Sequence, residues 1–480
     1  MRNQIKKITL AILLGVMFGL QACSDDINVD IMLDDSVLNQ TGKLNAFIKD
    51  GTTGKSENIV DLRTQEYKTT IYVGLNKVPQ KGVDAQITYD AEYLKSYNAE
   101  HNTDFELFPQ DLVSITNDGK LLIAPDEKQS MALNMTIQPQ TEFDENKTYV
   151  IPMKVNILTD GICLDESTSH CVYLLKCHKN ESDCFKGENA IKNLCILEVN
   201  DVNPLNLLEF KLENSGKLYF DALVIFAANV NYNAVEKKVY VSNNANVQFL
   251  LDNNETYLQP LRDRGMKIIL GILGNHDISG PAQLSKLGAQ MLAKDMAAYC
   301  YAYNLDGVMF DDEWSATPDL SNPLLAQHGW EAGMRMMYET KRAMPDKINS
   351  VYTVGFNYKK GLKVDGSIPG EFIDIIIPNY GGTSAPDEGM TLANCCAMSL
   401  QLNAITGGNS NEYWARNIAK QGYGWFMYYA LEPSKYNFGV PKLKSLSRGL
   451  YEDKLVEPVY YYKKDDPTPY LFSESGYKHW

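Results

Sequence analysis

The part of the chain that begins at residue 194 alternates short apolar runs with helical patterns, and this alternation limits the fold more than any other feature. Such runs predict buried strands, and strands that alternate with helices predict βα units around a parallel sheet. Eight strands in succession predict an α/β fold, a (β/α)8 TIM barrel over residues 194–452. The predicted strands cover residues 194–200, 222–227, 267–273, 303–314, 348–353, 372–378, 398–403 and 423–429.

Helical periodicity and end signals predict the helices between these strands. Apolar residues recur with a helical period over residues 247–264, and Gly265 suits the C-terminal end of that helix. Ser279 and Pro281 predict the start of the next helix, which includes residues 284–303. Further helices are predicted over residues 331–344 and 445–451.

The fourth predicted strand ends in three consecutive acids. Side chains alternate along a strand, so Met309, Asp311 and Glu313 are predicted to face the barrel lumen. Phe310 and Asp312 then face the other way, with Phe310 packed under the surrounding helices. Barrel enzymes place their chemistry at the carboxyl ends of the strands, where Asp311 and Glu313 are expected to lie together.

Two carboxylates on one strand face repel each other, and the pKa of one of them must rise. A concave site that retains such a pair is a candidate for acid–base chemistry. The alternative is a loop of solvated acids after a strand. Polar residues also follow other predicted strand ends, as a polar-ligand site requires; with the acids they are Asn229, Asn275, His276, Asp311, Glu313, Asn379 and Tyr380.

The N-terminal part of the chain has a different pattern. Short alternating runs, such as residues 70–75, 121–125 and 149–155, are separated by turn signals at intervals typical of a β-sandwich. We predict a small all-β sandwich domain over residues 41–180, with a short helix or turn at 93–98. A polar linker over 181–193 leads to the barrel, and a tail over 453–480 follows it. No catalytic constellation occurs in the sandwich segment.

Residues 1–22 are predicted to be a signal peptide rather than part of the fold. A basic start precedes an apolar segment too short to span a membrane, and the segment ends in Leu20-Gln21-Ala22-Cys23, which resembles a bacterial lipobox. The resemblance implies lipidation of Cys23, a tether over residues 23–40, and a lipid anchor in the outer membrane. The expected location is the cell surface, or otherwise the periplasm; ordinary secretory cleavage is the alternative.

The net charge and the cysteine content limit the kinds of partner and ligand that are expected for this chain. The net charge of −15 argues against nucleic acid as a partner, because nucleic acid selects basic surfaces. Four cysteines cluster near His178, but their spacings match no zinc pattern well, so structural disulfides or buried thiols are favoured over a metal site. We predict neither a metal nor a cofactor. The clustered cysteines are Cys163, Cys171, Cys177 and Cys184; Cys195, Cys300, Cys395 and Cys396 are predicted core thiols.

The segment Asp306-Gly307-Val308-Met309-Phe310-Asp311-Asp312-Glu313 resembles the strand-four signature of glycoside hydrolase family 18. Further segments between about residues 194 and 452 are similar, in the same order, to the endo H type of endo-β-N-acetylglucosaminidase. The N-terminal domain resembles a β-sandwich of unknown function that precedes glycanases in surface lipoproteins of Bacteroidota. Spacing or glycan contact is its expected role. The segments that carry the barrel resemblance are residues 226–232, 265–270, 273–276, 305–308, 344–348 and 422–424.

This resemblance implies a retaining, substrate-assisted hydrolysis of the N,N'-diacetylchitobiose core of N-glycans, through an oxazolinium ion. It implies that Glu313 is the acid and base, that Asp311 orients the substrate's acetamide, and that Tyr380 donates to the acetamide carbonyl. The expected partners are N-linked glycans or glycoproteins. Side chains expected to line the glycan cleft are Asn229, Asn275, His276, Asn379, Trp314 and Tyr429.

The chain departs from the family signature at Met309, where the family has an aspartate that shares a proton with the position of Asp311. Methionine neither donates a proton nor carries charge. Tyr428 and Ala430 also replace the usual threonine and asparagine. Three functions therefore stay open: a hydrolase of N-glycans, a weakened or inactive barrel that binds glycans at the surface, and a chitinase.

Overall fold

The computed structural model describes residues 43–145, 147–404 and 408–478. The predicted signal peptide (residues 1–22), the lipidation residue Cys23, the tether (23–40) and the last residues of the tail lie outside these ranges. Within them, no helix is long and apolar enough to cross a membrane.

The first domain is the predicted β-sandwich. Apolar residues such as Ile48, Val73, Ile87 and Ile151 alternate along its strands and are buried between two sheets. Strands β10-β1-β3-β8-β6 form one sheet, and β2-β11-β9-β4-β7 form the other, with β5 beside β9. These elements are β1 (Leu44–Asp50), β2 (Glu57–Leu62), β3 (Tyr67–Leu75), β4 (Val83–Tyr89), α1 (Tyr93–His101), β5 (Glu106–Leu107), β6 (Val113–Ile115), β7 (Lys120–Ile123), β8 (Leu133–Ile137), β9 (Thr148–Ile157), β10 (Ile162–Leu164) and β11 (His170–Cys177).

The second domain is the predicted TIM barrel. Its parallel strands follow the order β18-β17-β16-β15-β13-β12-β20-β19, and a parallel bridge between Ile376 and Cys395 joins the two ends. Its elements are β12 (Lys192–Glu198), β13 (Ala222–Asn233), β14 (Lys238–Ser242), α2 (Ala245–Asp252), α3 (Asn254–Tyr257), α4 (Gln259–Asp263), β15 (Lys267–Leu273), α5 (Lys286–Ala302), β16 (Gly307–Asp311), α6 (Trp330–Ala343), β17 (Ile348–Tyr352), β18 (Ile375–Ile377), β19 (Cys396–Gln401), α7 (Glu412–Ile418), β20 (Trp425–Tyr429) and α8 (Tyr436–Tyr451).

The alternation predicted for the fourth strand is confirmed. Met309 lies in the apolar cluster that fills the lumen, and Phe310 lies in the cluster between the strands and the helices. The lumen below the carboxyl ends is a packed plug rather than a channel, as barrels of this size require. Its other buried members are Leu194, Ile196, Ala222, Val224, Ile269, Tyr352, Ile375, Ile377, Cys396, Trp425 and Met427.

Several helix predictions need correction. The helix predicted over residues 247–264 is three short helices, because Asn253 has a non-helical backbone (φ −106°, ψ 34°) and Pro260 opens the third. Helix α5 begins after Ser285, whose hydroxyl accepts from the amide of Gly288, and not near Ser279. Helix α8 begins at Tyr436, earlier than the predicted residue 445. Among the described residues, the connections before and after β18 contain 3-10 turns and no α-helix.

The predicted linker, residues 181–193, is irregular as far as β12 and packs against the barrel. Cys184 and Ile191 are buried in the barrel core, and the Lys186 ammonium pairs with Asp221 at 2.7 Å. The sandwich itself contacts the barrel at the amino ends of the strands. There, the Lys55 ammonium lies 3.0 Å from the centroid of the Tyr301 ring. The predicted acids therefore lie at the opposite end of the barrel from the sandwich.

The predicted cysteine clusters are free thiols. All eight cysteines in the described ranges are unpaired, and seven of them are buried. Burial raises the pKa of the Cys171 thiol to about 12, so it stays protonated. Of the two favoured predictions, buried thiols therefore describe this chain better than disulfides. No group of three or more histidine, cysteine or acidic side chains within the described residues could hold a metal ion.

The C-terminal tail packs where the barrel lacks a helix. Only a 3-10 helix, Pro204–Glu209, lies between β12 and β13, and strands β21 (Tyr460–Tyr462) and β22 (Pro469–Leu471) form a hairpin beside it. The buried Asn206 side chain donates to the carbonyl of Tyr462 and accepts from its amide, both at 2.9 Å. The Phe472 ring stacks on Tyr436 at 5.5 Å between centroids.

We expect Phe472→Ala to destabilise the barrel by about 3–5 kcal/mol, because it empties a buried aromatic site. The matched control is Leu471→Ala, one residue earlier, whose side chain is 38% exposed. Guanidinium unfolding followed by tryptophan fluorescence measures both variants. Equal losses in the two variants would show that the tail does not pack as described.

Candidate active site

Strand β16 delivers three carboxylates to the open end of the barrel. All five of its residues are buried, and it ends at Asp311, which is only 4% exposed. Asp312 is also buried, whereas Glu313 is exposed. The alternative of a solvated acidic loop is therefore wrong for Asp311 and Asp312. The strand brings one buried and one accessible carboxyl group together on the lumen side.

Burial and two neighbouring charges determine the protonation of Asp311. Desolvation is the largest cause, and the negative charges of Glu313 and Asp312 add to it, so that together they raise the pKa of Asp311 to about 8. The Oδ1 atom of Asp311 is buried and has no hydrogen-bond partner in the described chain. Asp311 is therefore a neutral acid at neutral pH. Of the two carboxyl groups in the Asp311–Glu313 pair, Asp311 is therefore the one whose pKa is raised.

Three tyrosines at the top of the lumen, which we call the tyrosine arch, face the acids; they are Tyr380, Tyr429 and the plug member Tyr352. The Tyr380 ring lies 6.2 Å from Tyr352 and 5.9 Å from Tyr429, measured between centroids. Burial raises the pKa of all three phenols, and the charges of Asp311 and Glu313 raise the pKa of Tyr352 and Tyr380 further. These phenols remain protonated and act as hydrogen-bond donors. Tyr380 and Tyr429, both predicted site residues, thus lie beside the carboxyl pair.

Asn379 holds this arch in place. Its Oδ1 atom accepts from the Tyr352 hydroxyl and from the backbone amide of Tyr380, each at 2.7 Å. The side chain that was predicted to line a ligand cleft thus fixes the loop after β18. Its carbonyl oxygen is already engaged by the protein.

The opposite wall carries the other predicted polar residues. Asn229 donates to the carbonyl of Gly274 at 3.1 Å, and the exposed Asn275 donates to Asn231 at 3.0 Å. Strand β13 continues past the barrel rim into a hairpin with β14, which places Asn231 in this wall. The structure therefore brings amides from the extension of β13 and from the loop after β15 to one side of the mouth, and we call this side the amide wall.

His276 and Trp314 form an aromatic edge beside these amides. Their ring centroids are 5.8 Å apart, and the His276 amide donates to the carbonyl of Trp314 at 2.5 Å. Both residues adopt positive φ, and the Trp314 side chain is 61% exposed. An exposed tryptophan at a polar mouth is suited to stacking on the face of a sugar.

Sequence reasoning missed two residues that face the lumen. Glu198 ends β12 on the same face as Leu194 and Ile196, and it accepts from the Tyr429 hydroxyl at 3.2 Å. Burial raises the pKa of Glu198. Tyr352 ends β17 in the same way. Both follow the period-2 rule that identified Asp311, so the same signal applied to every strand end would have found them.

Met309 is wholly enclosed by the apolar plug beneath the site. Its neighbours along the ladder are Gly271 and Ser350, and the Ser350 hydroxyl donates to the carbonyl of Val308 rather than towards Met309. Met309 is thus an apolar residue in apolar surroundings. The methionine fills space below Asp311.

A parallel barrel with a buried neutral carboxyl, an accessible glutamate and a row of phenols at the carboxyl ends of its strands has the paired carboxyl groups that glycoside hydrolases use. Comparison with known proteins agrees. The chain is 44% identical to endo-beta-N-acetylglucosaminidase F1 of Elizabethkingia meningoseptica, over 57% of this chain and 82% of the relative. It is 32% identical to an endo-beta-N-acetylglucosaminidase of Flavobacterium sp. (strain SK1022), over 54% of this chain and 80% of the relative.

The chain therefore belongs to the endo-β-N-acetylglucosaminidases of glycoside hydrolase family 18, and it is an enzyme. Crystal structures of Bacteroides thetaiotamicron EndoBT-3987 match 88% of this chain and 99% of that protein, with a TM-score of 0.65. The identity is 45% for the structure with a Man5GlcNAc product and 44% for the complex with a Man9GlcNAc2Asn substrate. A family model described as an N-terminal domain matches residues 43–161, within the sandwich.

Replacing the buried acid should stabilise the fold in a pH-dependent way. The folded-state pKa of Asp311 lies above the unfolded value, so its favourable contribution is complete at low pH and is lost as pH rises towards about 8. Asp311→Asn has no proton to lose. We expect its melting temperature to exceed the parent's by a margin that grows from about pH 4 to about pH 8.

Thermal melts across this pH range measure the margin, at about 1.4 kcal/mol for each unit of pKa difference. Asp319→Asn is the control, because Asp319 is an exposed acid of the loop after β16 with a lowered pKa. A constant margin for Asp311→Asn, or the same growing margin in the control, would contradict the assignment.

Proposed function

We propose that the enzyme hydrolyses the bond between the two core N-acetylglucosamines of N-linked glycans and releases the oligosaccharide. The observation that carries the proposal is the Asp311–Glu313 pair facing Tyr380 at the mouth of a barrel of this family. The related EndoBT-3987 was crystallised with a Man9GlcNAc2Asn substrate, which contains two N-acetylglucosamines, and with a Man5GlcNAc product, which contains one. N-linked glycans or glycoproteins are thus the partners we propose for this chain.

The resting proton of the pair is central to the proposed mechanism. It lies on Asp311, whose pKa is raised. Transfer of that proton to Glu313 prepares both groups at once. Glu313 becomes the acid, and Asp311 becomes the carboxylate that accepts the N–H of the substrate's acetamide and stabilises its developing positive charge.

Glu313 then gives its proton to the glycosidic oxygen as the bond from that oxygen to the anomeric carbon breaks. The acetamide oxygen forms a new bond to the same carbon, giving an oxazolinium ion. Water next attacks the anomeric carbon, and Glu313 accepts a proton from it as the bond to the acetamide oxygen breaks. Two displacements at one carbon retain its configuration.

The surrounding residues orient the sugar in this proposal. The high pKa of the Tyr380 phenol keeps it protonated, so it donates to the acetamide carbonyl. Trp314 and His276 offer ring faces, and Asn229 and Asn275 offer amides, on the wall opposite the tyrosines. Tyr429 and Asn379 complete the tyrosine side of the cleft.

We further propose that Cys23 carries a lipid anchor and that the enzyme is held at the outer membrane, at the cell surface. The basic and apolar segment before Leu20-Gln21-Ala22-Cys23 supports this location. The sandwich lies at the end of the barrel opposite the acids, so a tether on the sandwich leaves the mouth free to receive large glycans.

Glu313→Gln should abolish release of the oligosaccharide, because the amide neither gives nor takes the proton that the glycosidic oxygen and water require. The measurement is mass spectrometry of the products from one high-mannose and one complex-type glycoprotein. Glu331→Gln, an exposed glutamate at the start of α6, serves as the matched control and should release glycan like the parent. Turnover unchanged in Glu313→Gln would refute the proposed acid.

Substitution of Met309 tests whether this barrel is a fully active enzyme or a weakened barrel that binds glycans. We expect Met309→Asp to reduce both stability and turnover, because the residue is 0% exposed in an apolar plug and a carboxyl group there lacks donors. Thermal melts and turnover of the same glycoprotein test this, with Met309→Leu as the volume-matched control. Turnover that rises in Met309→Asp would favour the weakened barrel instead.

A further inference from the structure

Asp312, between the two proposed catalytic acids, points away from the lumen into the loops outside the barrel. Its side chain is buried, and its Oδ2 atom accepts from His328 Nε2 at 2.8 Å and from the backbone amide of Phe356 at 2.7 Å. His328 belongs to the end of the loop after β16, and Phe356 belongs to the loop after β17. A single carboxylate oxygen therefore joins two active-site loops.

The approach of the second loop is too close for an ordinary residue. Gly355 has a φ of +70°, and a Cβ atom there would lie 2.3 Å from the carbonyl oxygen of Asp312 and 2.6 Å from its Oδ2. Only glycine combines this backbone conformation with this contact. The loop after β17 is thus shaped to place its amide on Asp312.

Edge-to-face aromatic contacts continue outwards from Asp312. The Phe356 ring meets the edge of His328 at 4.8 Å and of Trp330 at 5.0 Å, measured between centroids. The Lys359 ammonium lies 4.5 Å from the centroid of the Trp330 ring. The two loops consequently form one continuous wall beside the mouth, which we call the Asp312 wall (residues 312, 328, 330, 355 and 356).

The backbone that carries Glu313 is held from the other side as well. Gly274 packs against the Glu313 carbonyl, where a Cβ atom would lie at 2.3 Å, and the His276 amide bonds to Trp314. Glu313 itself is exposed, so its position depends on these backbone contacts more than on packing of its side chain. The segment 312–314 is clamped between the Asp312 wall and the loop after β15.

We propose that Asp312 is a positioning residue of the reaction, which fixes Glu313 relative to Asp311 by tying the loops after β16 and β17 together through His328 and Phe356. This inference rests on the proposed function, and it adds a role for a residue that points away from the lumen and touches neither substrate nor the reacting atoms.

The charge of Asp312 adds a second effect. The groups that face Asp311 are Asp312 and Glu313 from its own segment, Tyr352 from β17, Tyr380 from the loop after β18 and Tyr429 from β20. None of these groups is a cation. The negative charge of Asp312 therefore raises the pKa of Asp311, and its removal lowers that pKa.

Two sets of variants separate the effect of the His328–Asp312 hydrogen bond from the effect of the Asp312 charge. His328→Leu removes one donor to Asp312, and His328→Gln supplies an amide donor in its place. Asp312→Asn keeps the shape and a carbonyl acceptor but removes the charge. His178→Leu is the matched control, because His178 pairs with Asp61 at 2.5 Å in the sandwich, away from the site.

The measurements are kcat and KM across pH on a high-mannose glycoprotein, and hydrogen exchange at the Phe356 amide. We expect His328→Leu to lower kcat about 10-fold with little change in KM, because a mispositioned acid affects chemistry more than binding. His328→Gln should restore most of the loss, and His178→Leu should match the parent. Asp312→Asn should move the limb of the pH profile that reports Asp311 to lower pH.

Hydrogen exchange does not depend on activity, so it separates this inference from the proposed function. We expect faster exchange at the Phe356 amide in His328→Leu whether or not the parent enzyme releases glycan. A parent that released no glycan would refute only the proposed function. Unchanged exchange would overturn the inference. An active parent would also overturn it if His328→Leu and Asp312→Asn kept the parental kcat and pH profile.

Discussion

The burial of Asp311 without a compensating cation is the interaction on which the site depends. Strand β16 is covered on both faces, and the plug below leaves the carboxyl group no polar support. A carboxylate placed there costs free energy, and two neighbouring acids raise that cost further, so the group holds a proton at neutral pH. The fold thus keeps Asp311 protonated next to the exposed Glu313. Under the proposed function, the fold gives up stability at this point for chemistry, as is common in active sites.

The rest of the barrel keeps that proton in place. The lumen plug removes water and polar partners from below, and the tyrosine arch adds donors that stay protonated beside the acids. Asn379 and Glu198 fix the arch through Tyr352 and Tyr429, respectively. On the other side, the extension of β13 and the loop after β15 carry the amide wall, and the loop after β16 carries Trp314. One end of the barrel therefore combines rigid polar groups, whereas the sandwich packs at the other end and leaves the mouth open.

Apolar runs predicted the barrel strands, and period-2 alternation predicted the lumen-facing acids correctly, because a one-residue slip moves every side chain to the other face of the sheet. The same rule predicted that Phe310 packs beneath the helices. Helix limits were less predictable, since local backbone geometry decides them: Asn253 interrupts a continuous apolar pattern, and the Ser285 cap begins α5. The tail and the Asp312 wall escaped prediction for another reason. Their contacts join residues far apart in the chain, such as Asn206 with Tyr462, and no local pattern reports them.

Met309 shows how a departure from a family signature can be compatible with activity. An acid at this position shares a proton with its neighbour in the family pattern, whereas an apolar residue leaves that neighbour to hold the proton by desolvation alone. In this chain, desolvation is the largest cause of the raised pKa of Asp311, and Met309 contributes to it by sealing the plug from below. The two arrangements reach the same end by different physical means: a neutral carboxyl group at Asp311, which in the proposed mechanism passes its proton to Glu313. Met309 therefore adds to the apolar surroundings that favour the neutral form of Asp311.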